Sequence, residues 1–207
     1  MSHYELSNLR DNLLVKKYNP NDKFENLFEI FIQLNVIHEL GLIHGNLHGG
    51  KILLSNHMIC SIGDLGLCQP VNQPNIKNYR YGMLPYIAPE VLRGKPYTKA
   101  ADIYSFGIIM WEMTSGIPAF HDFYNFGDDL QLSLDICKGV RPKIVKGTMP
   151  EYVELMKKCW SNDSEERPTA KTTPTTPESF PQYHVSREIR KTFDNLLWKT
   201  IIYLLCK

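Results

Sequence analysis

Apolar side chains recur along this chain mostly with the spacing of helices. From Phe24 to Leu40 they return every three to four residues, which predicts a long buried helix that ends at Gly41. We expect His38 on this helix to be partly exposed and not functional. Residues 100–114 are apolar on almost every side, which predicts a central helix buried all round. Weaker helical periods occupy three further segments, at residues 6–18, 130–138 and 151–160. The pattern therefore predicts a mainly α fold.

The remaining segments follow other patterns. Two short apolar runs at 52–54 and 58–60 flank a polar turn and predict a small β-hairpin. Residues 64–86 contain three prolines and three asparagines without an apolar period, which predicts a long loop, ordered or mobile, of the kind that is usually functional. Threonine and proline dominate the first part of 171–185, which predicts a linker, and 186–207 returns to the period of an amphipathic helix.

Composition sets the class of protein. A chain of 207 residues with 43% hydrophobic residues can bury one core, which we assign to a single domain at 1–170. A formal net charge of +1 creates no field that would attract nucleic acid. Five scattered cysteines fit reduced thiols, and the apolar stretch near the end is interrupted by Lys199 and too short to span a bilayer. We therefore expect a soluble cytoplasmic protein without a membrane span.

Five short motifs follow one another in a specific order and spacing. They are His44-Gly45-Asn46-Leu47 with Lys51 four residues later, Asp64-Leu65-Gly66, Ala88-Pro89-Glu90, Asp102-Ile103-Tyr104-Ser105-Phe106-Gly107, and Arg167-Pro168. Together they resemble the catalytic loop, the metal-binding D-F-G, the A-P-E motif and the later landmarks of the protein kinase superfamily. Five motifs in register are far more specific than any one triplet. The resemblance implies the large, C-terminal lobe of an α+β kinase fold, with the small hairpin at its catalytic loop.

The resemblance also implies a part that we do not find. A kinase small lobe carries a glycine-rich loop over the phosphates and a strand lysine, but no G-x-G-x-x-G occurs in this sequence. We therefore expect the small lobe to be absent. Two interpretations remain open: the protein lacks that lobe, or the sequence is a fragment of a longer gene product.

Three positions of the resemblance concern chemistry. Asn46 stands where kinases have the aspartate that accepts the substrate hydroxyl proton, and an amide is not basic. Lys51 replaces the asparagine that holds the second magnesium; an ammonium repels a divalent cation, although it could lie near a nucleotide phosphate. Asp64 keeps the D-F-G carboxylate, which either contacts magnesium or caps its own turn. The resemblance thus implies an ATP and magnesium site, and we expect weak or absent binding.

Four other residues are structural by the same resemblance. Glu90 and Arg167 are expected to form a buried ion pair, and Asp102 to accept backbone N–H bonds from the catalytic loop near His44. Residues that would support architecture are thus present, whereas those that would support phosphoryl transfer are replaced.

Three hypotheses follow for function. The first is a pseudokinase that serves signal transduction by binding another protein, a kinase or a scaffold, with a surface around the central helix and residues 130–140. The second is a kinase that transfers the ATP γ-phosphate to protein Ser, Thr or Tyr with altered catalytic residues or a missing small lobe. The third is a truncated kinase fragment with no stable fold, because an uncovered apolar face promotes association.

Overall fold

The central helix α4 spans Lys99–Ser115 in the computed structural model, which describes residues 7–13, 20–54, 60–71, 83–121 and 129–169. Every residue from 101 to 113 is buried, as the all-round apolar pattern predicts. The Thr98 hydroxyl accepts a hydrogen bond from the Ala101 N–H and caps the first turn, while Gly116 ends the helix with a φ of 72°.

The described residues form five further α-helices. Their bounds are Leu9–Leu13 for α1, Pro20–Glu39 for α2, Pro89–Leu92 for α3, Asp129–Cys137 for α5 and Pro150–Cys159 for α6. The α2 and α4 helices meet through Phe31 and Phe106, whose ring centroids lie 5.8 Å apart. Helix α6 approaches α4 so closely that a Cβ at Gly107 would lie 2.8 Å from the Cys159 Cβ. A residue without a side chain is therefore required there.

The strands form two small sheets. Strands β1 (Ser7–Asn8), β3 (Ile52–Leu54) and β4 (Cys60–Ile62) pair antiparallel in the order β1-β3-β4, and β2 (Leu42–Ile43) pairs with β5 (Gln69–Pro70). The mainly α fold with a small hairpin is thus confirmed. The second hairpin strand lies two residues later than predicted, because Cys60 and Ile62 point into the core on either side of Ser61.

A side chain of α2 covers the outer edge of β4. Gln33 donates its Nε2 to the Cys60 carbonyl oxygen at 2.8 Å and accepts the Ile62 N–H through Oε1 at 2.8 Å. The amide group therefore supplies the two hydrogen bonds that a neighbouring strand would make. An edge satisfied in this way is unavailable for pairing with another chain.

The prediction of a helix over residues 6–18 is wrong at its start. Ser7 and Asn8 pair with β3 instead, and the Asn8 Oδ1 accepts a hydrogen bond from the Asp11 N–H at 3.0 Å. Asn8 thus caps α1, which begins at Leu9. The spacing of apolar residues alone does not show that a polar residue within the predicted range caps the helix.

Part of the predicted 64–86 loop is ordered structure. The 3₁₀ turn Leu65–Leu67, strand β5 and a second 3₁₀ turn at Leu84–Tyr86 occupy its two ends. Residues 72–82 lie outside the described part of the chain, as do the predicted linker at 171–185 and the predicted helix at 186–207. Within the described ranges, no helix has the length and apolar character that a membrane crossing requires.

A buried ion pair joins the start of α3 to the end of the described chain. Arg167 donates Nη1 and Nη2 to the two carboxylate oxygens of Glu90, each at 2.7 Å. The same guanidinium donates to the Ala100 and Ser161 carbonyl oxygens at 2.9 and 3.0 Å. Arg167 is 4% exposed and Glu90 is 7% exposed. The bidentate pair is therefore also shielded from water.

Two guanidinium groups lie over the ring of Tyr104 in α4. The Arg141 and Arg167 Cζ atoms lie 5.0 and 5.3 Å from its ring centroid, which places both cations over an electron-rich face. The Tyr104 hydroxyl is fully buried and has no hydrogen-bond partner among the described residues. Burial raises its pKa to about 12. The ring therefore stabilises the fold, whereas burial of the unpaired hydroxyl lowers the free energy of unfolding.

We expect Tyr104→Phe to raise the free energy of unfolding by about 1 kcal/mol, or roughly 2–4 °C in melting temperature, because it removes a buried polar atom that gains no hydrogen bond. The matched control is Tyr152→Phe, since the buried Tyr152 hydroxyl donates to the Met110 carbonyl oxygen at 2.7 Å and its loss should destabilise by about 1 kcal/mol. Thermal melts of both variants test this. A destabilised Tyr104→Phe chain would contradict it.

Candidate functional site

The loop that resembles the kinase catalytic loop begins at the end of β2 and is anchored by Asp102. The Asp102 carboxylate accepts the His44 N–H at 2.8 Å and the Gly45 N–H at 2.9 Å. Gly45 has a φ of 71°, a left-handed conformation that glycine adopts without strain. Asp102 is fully buried in the first turn of α4, so the buried central helix sets the position of the loop.

His38 completes this anchor and was missed in the sequence. We expected a partly exposed side chain on α2, but His38 is 3% exposed and its Nε2 lies 2.8 Å from the Asp102 Oδ2. The expectation was wrong because His38 follows Leu34 by four residues and so continues the buried stripe of α2. Its place on that stripe was the signal that could have identified it.

His44 links the loop to the Asp64 turn. Its Nδ1 accepts the Asn46 N–H at 3.2 Å, and its Nε2 lies 3.1 Å from the Gly63 carbonyl oxygen. With one nitrogen accepting, the neutral tautomer protonated at Nε2 satisfies both contacts. His44 is fully buried. Its ring therefore joins the loop to the turn through hydrogen bonds that are shielded from water.

Lys51 and Asp64, which the resemblance assigns to nucleotide and metal, bind each other. The Lys51 Nζ lies 2.6 Å from the Asp64 Oδ2, and both side chains are about one-third exposed at 32% and 34%. The hydrogen bond from Lys51 lowers the pKa of Asp64 below its ordinary range. The alternative that Asp64 caps its own turn is wrong, because its side chain makes no capping hydrogen bond.

This donor set does not fit a kinase magnesium site. Magnesium favours several oxygen ligands in octahedral geometry. Here Asp64 is engaged by an ammonium, the second ligand position is that ammonium, and Asn46 contributes an uncharged amide. Within the described ranges, no group of three or more His, Cys, Asp or Glu side chains could hold a metal ion. The residues present therefore do not form a magnesium site of the kinase type.

His48, three residues before Lys51, is uncharged at neutral pH. Its Nδ1 accepts the Gly50 N–H at 3.1 Å and caps the 3₁₀ turn Gly49–Lys51. Its ring centroid lies 5.7 Å from that of Tyr86. Burial first, and then the Lys51 charge, lower the pKa of His48 to about 4. The side chain is therefore a neutral structural group beside the site.

A buried carboxylate lies beneath the loop. Glu112 accepts the Tyr86 hydroxyl through Oε2 at 2.6 Å and the Ala119 N–H through Oε1 at 2.8 Å. A Cβ at Gly49 would lie 3.3 Å from the Glu112 Oε2, so the loop passes directly over this group. We had not singled out Glu112, although a carboxylate inside an otherwise apolar helix was a sufficient signal.

Burial raises the pKa of Glu112 to about 7 from an ordinary value of 4.5, and it outweighs the two hydrogen bonds, which favour the charged form. Between these two pH values the folded chain therefore holds a proton that the unfolded chain has released. The stability from protonated Glu112 is fully present below pH 4.5 and is lost as the pH rises to about 7.

We expect Glu112→Gln to remove this pH dependence. Glutamine keeps both hydrogen bonds if its amide donates to the Tyr86 oxygen, and it cannot titrate. Urea unfolding at pH 5, 6, 7 and 8 measures the free energy of unfolding of both chains. As the pH rises toward 7, the value for the wild type should fall relative to that for Glu112→Gln by up to about 1.4 kcal/mol per pH unit. Glu151→Gln, which changes an exposed residue of α6, is the control. A Glu112→Gln chain that follows the wild-type slope would refute the assignment.

Comparisons with known proteins identify the same family that the motifs resemble. A sequence model of the family described as protein tyrosine and serine/threonine kinase matches residues 1–175. The chain is 33% identical over 137 residues to serine/threonine-protein kinase STY17 of Arabidopsis thaliana, which covers 65% of this chain and 23% of that protein. It is 32% identical over 175 residues to the putative serine/threonine-protein kinase/receptor R831 of Acanthamoeba polyphaga mimivirus, which covers 81% of this chain.

The chain is much shorter than these relatives. It spans 10% of the mimivirus protein and 34% of serine/threonine/tyrosine-protein kinase HT1 of Arabidopsis thaliana, to which it is 30% identical over 136 residues. The similarity therefore concerns one part of each relative.

Proposed function

Because this chain belongs to the protein tyrosine and serine/threonine kinase family, we propose that it is a catalytically impaired member, a pseudokinase domain that acts by binding another protein, a kinase or a scaffold. The observation that carries the proposal is the contrast within one loop. Asp102 holds the loop backbone by hydrogen bonds of 2.8 and 2.9 Å, while the position of the catalytic base is Asn46.

The loss at Asn46 is chemical and not architectural. The loop around it is held by buried groups, so an active base at this position would have been well placed. An amide accepts hydrogen bonds but takes no proton at cellular pH. Removal of general-base assistance costs about a hundred- to ten-thousand-fold in rate. The Lys51–Asp64 pair removes a second requirement, because it engages the carboxylate that would bind magnesium.

The surface that we propose for a partner is the outer face of α5. Leu130 and Leu134 are four residues apart on this face and are 71% and 46% exposed, whereas Leu132 on the other side is 3% exposed. Val140, just beyond the helix, is 41% exposed. Residues 101–113 of the central helix are buried, so they are not part of this surface.

A second candidate is a kinase with altered chemistry. The names of its relatives and the retained Asp64 favour it. In that case Lys51 would contact a nucleotide phosphate, and Asp64 would hold a metal once Lys51 moves away. This candidate requires nucleotide binding that depends on both Asp64 and a divalent cation.

Thermal unfolding of the 207-residue chain with and without millimolar ATP and magnesium or manganese tests the proposal. A ligand at a hundred times its dissociation constant stabilises a fold by about 2.7 kcal/mol, or roughly 5–11 °C here. We expect a cooperative melt that ATP leaves unmoved. A shift of several degrees that Asp64→Ala abolishes would favour the second candidate, and the absence of any cooperative melt would favour a fragment without a stable fold.

A further inference from the structure

The hairpin of β3 and β4 holds Lys51 beside Asp64. In its register Ile52 pairs with Ile62, so the residues just outside are Lys51 and Gly63. The Gly63 N–H donates to the Lys51 carbonyl oxygen at 2.7 Å, which extends the pairing by one more bond. Asp64 follows directly, in a left-handed conformation with a φ of 64°. The backbone therefore places any side chain at position 51 next to the Asp64 carboxylate.

The charges at this place differ from those of the family pattern. Aspartate, asparagine and aspartate at the positions of Asn46, Lys51 and Asp64 would give a formal charge of −2, which attracts divalent cations. Asparagine, lysine and aspartate give 0. The neighbouring His48 adds no charge at neutral pH, since burial keeps its pKa at about 4. A neutral site that already contains an ammonium offers a second cation no electrostatic gain.

We propose that Lys51 is a built-in cation that replaces the divalent metal at Asp64, so that the Asp64 turn is held without metal or nucleotide and the site excludes divalent cations. The geometry supports both parts, since the 2.6 Å contact occupies Asp64 Oδ2 and bridges the hairpin to the following 3₁₀ turn. The inference rests on the proposed loss of metal chemistry and is independent of the proposed partner.

Manganese alone is the probe that tests exclusion, because it broadens nearby amide resonances in NMR spectra. The full chain is titrated to about 10 mM Mn²⁺ as wild type, Lys51→Asn, and Lys51→Asn combined with Asp64→Asn. We expect the amides of residues 60–67 to stay sharp in the wild type, to broaden saturably in Lys51→Asn, and to recover in the double variant. Lys51→Gln repeats the test if Lys51→Asn does not fold, as judged by its melt.

Hydrogen exchange tests the structural part. Lys51→Met keeps the length of the side chain but not its charge, and we expect it to speed exchange of the Gly63 and Leu67 amides about two- to fivefold, the range for a partly exposed ion pair. Lys158→Met is the control, since it breaks the exposed Lys158–Glu154 pair of α6 and should leave these amides unchanged.

Three results would overturn the inference. They are saturable broadening in the wild type, sharp amides in the folded amide variant at position 51 (Lys51→Asn, or Lys51→Gln in its place), and exchange in Lys51→Met that matches the wild type. None of these depends on ATP, so the inference can fail while the ATP-insensitive melt of the proposed function stands. Conversely, an ATP-dependent melt would refute the proposed function whatever manganese alone does.

Discussion

Replacement of Arg167 by methionine is expected to lower the free energy of unfolding by roughly 3–5 kcal/mol, because it leaves the Glu90 carboxylate buried without its partner. The pair is bidentate, with two contacts of 2.7 Å. The variant also loses the hydrogen bonds to the Ala100 and Ser161 carbonyl oxygens. Urea unfolding at neutral pH measures the change.

A matched control separates burial from charge pairing as such. Lys158→Met breaks the exposed pair with Glu154, whose side chains are 42% and 68% exposed, and should cost no more than about 0.5 kcal/mol. Glu90→Gln combined with Arg167→Met should recover part of the loss, since it removes the uncompensated charge. A loss in Arg167→Met no larger than that in Lys158→Met would show that the pair does not hold the fold.

Asp102→Asn should cost at least about 3 kcal/mol despite its close similarity in shape. The carboxylate accepts three hydrogen bonds, from the backbone N–H groups of His44 and Gly45 and from the His38 ring. An amide has one accepting oxygen, and its NH₂ group would face a buried donor, which leaves polar groups unsatisfied.

The same variant should loosen the loop before it loosens the helices. Hydrogen exchange of the His44 and Gly45 amides should rise more than that of the α4 interior. Asp129→Asn, an exposed residue in the first turn of α5, is the control and should change stability by less than about 1 kcal/mol. Equal effects of the two substitutions would contradict the anchoring role of Asp102.

Periodicity predicted the helices well where tertiary packing follows the local pattern. The central helix was predicted at 100–114 and spans Lys99–Ser115, because its apolar residues, its Thr98 cap and its Gly116 end agree. The long helix was predicted from Phe24 but begins at Pro20. Its first turn has few apolar residues, so the period alone does not show it, although proline is favoured at such a position.

Contacts between distant segments were beyond the local pattern. Strand β1 exists because Ser7 and Asn8 meet β3, which is more than forty residues away in the chain. The hydrogen bond of His38 depends in the same way on Asp102, 64 residues later. The Lys51–Asp64 contact requires the hairpin register, which shifted by two residues from the prediction. Motif spacing identified Lys51, Asp64 and Asp102, but only the fold shows which residues they bind.

An assay of phosphoryl transfer tests most directly whether this kinase-like domain is catalytically impaired. The 207-residue chain is incubated with γ-labelled ATP, magnesium or manganese, and a generic protein substrate, beside its Asp64→Ala variant. We expect the wild-type chain to incorporate no more label into the substrate or into itself than the variant does. Incorporation by the wild type that Asp64→Ala abolishes would contradict it, and would mean that Asn46 and Lys51 leave a working active site.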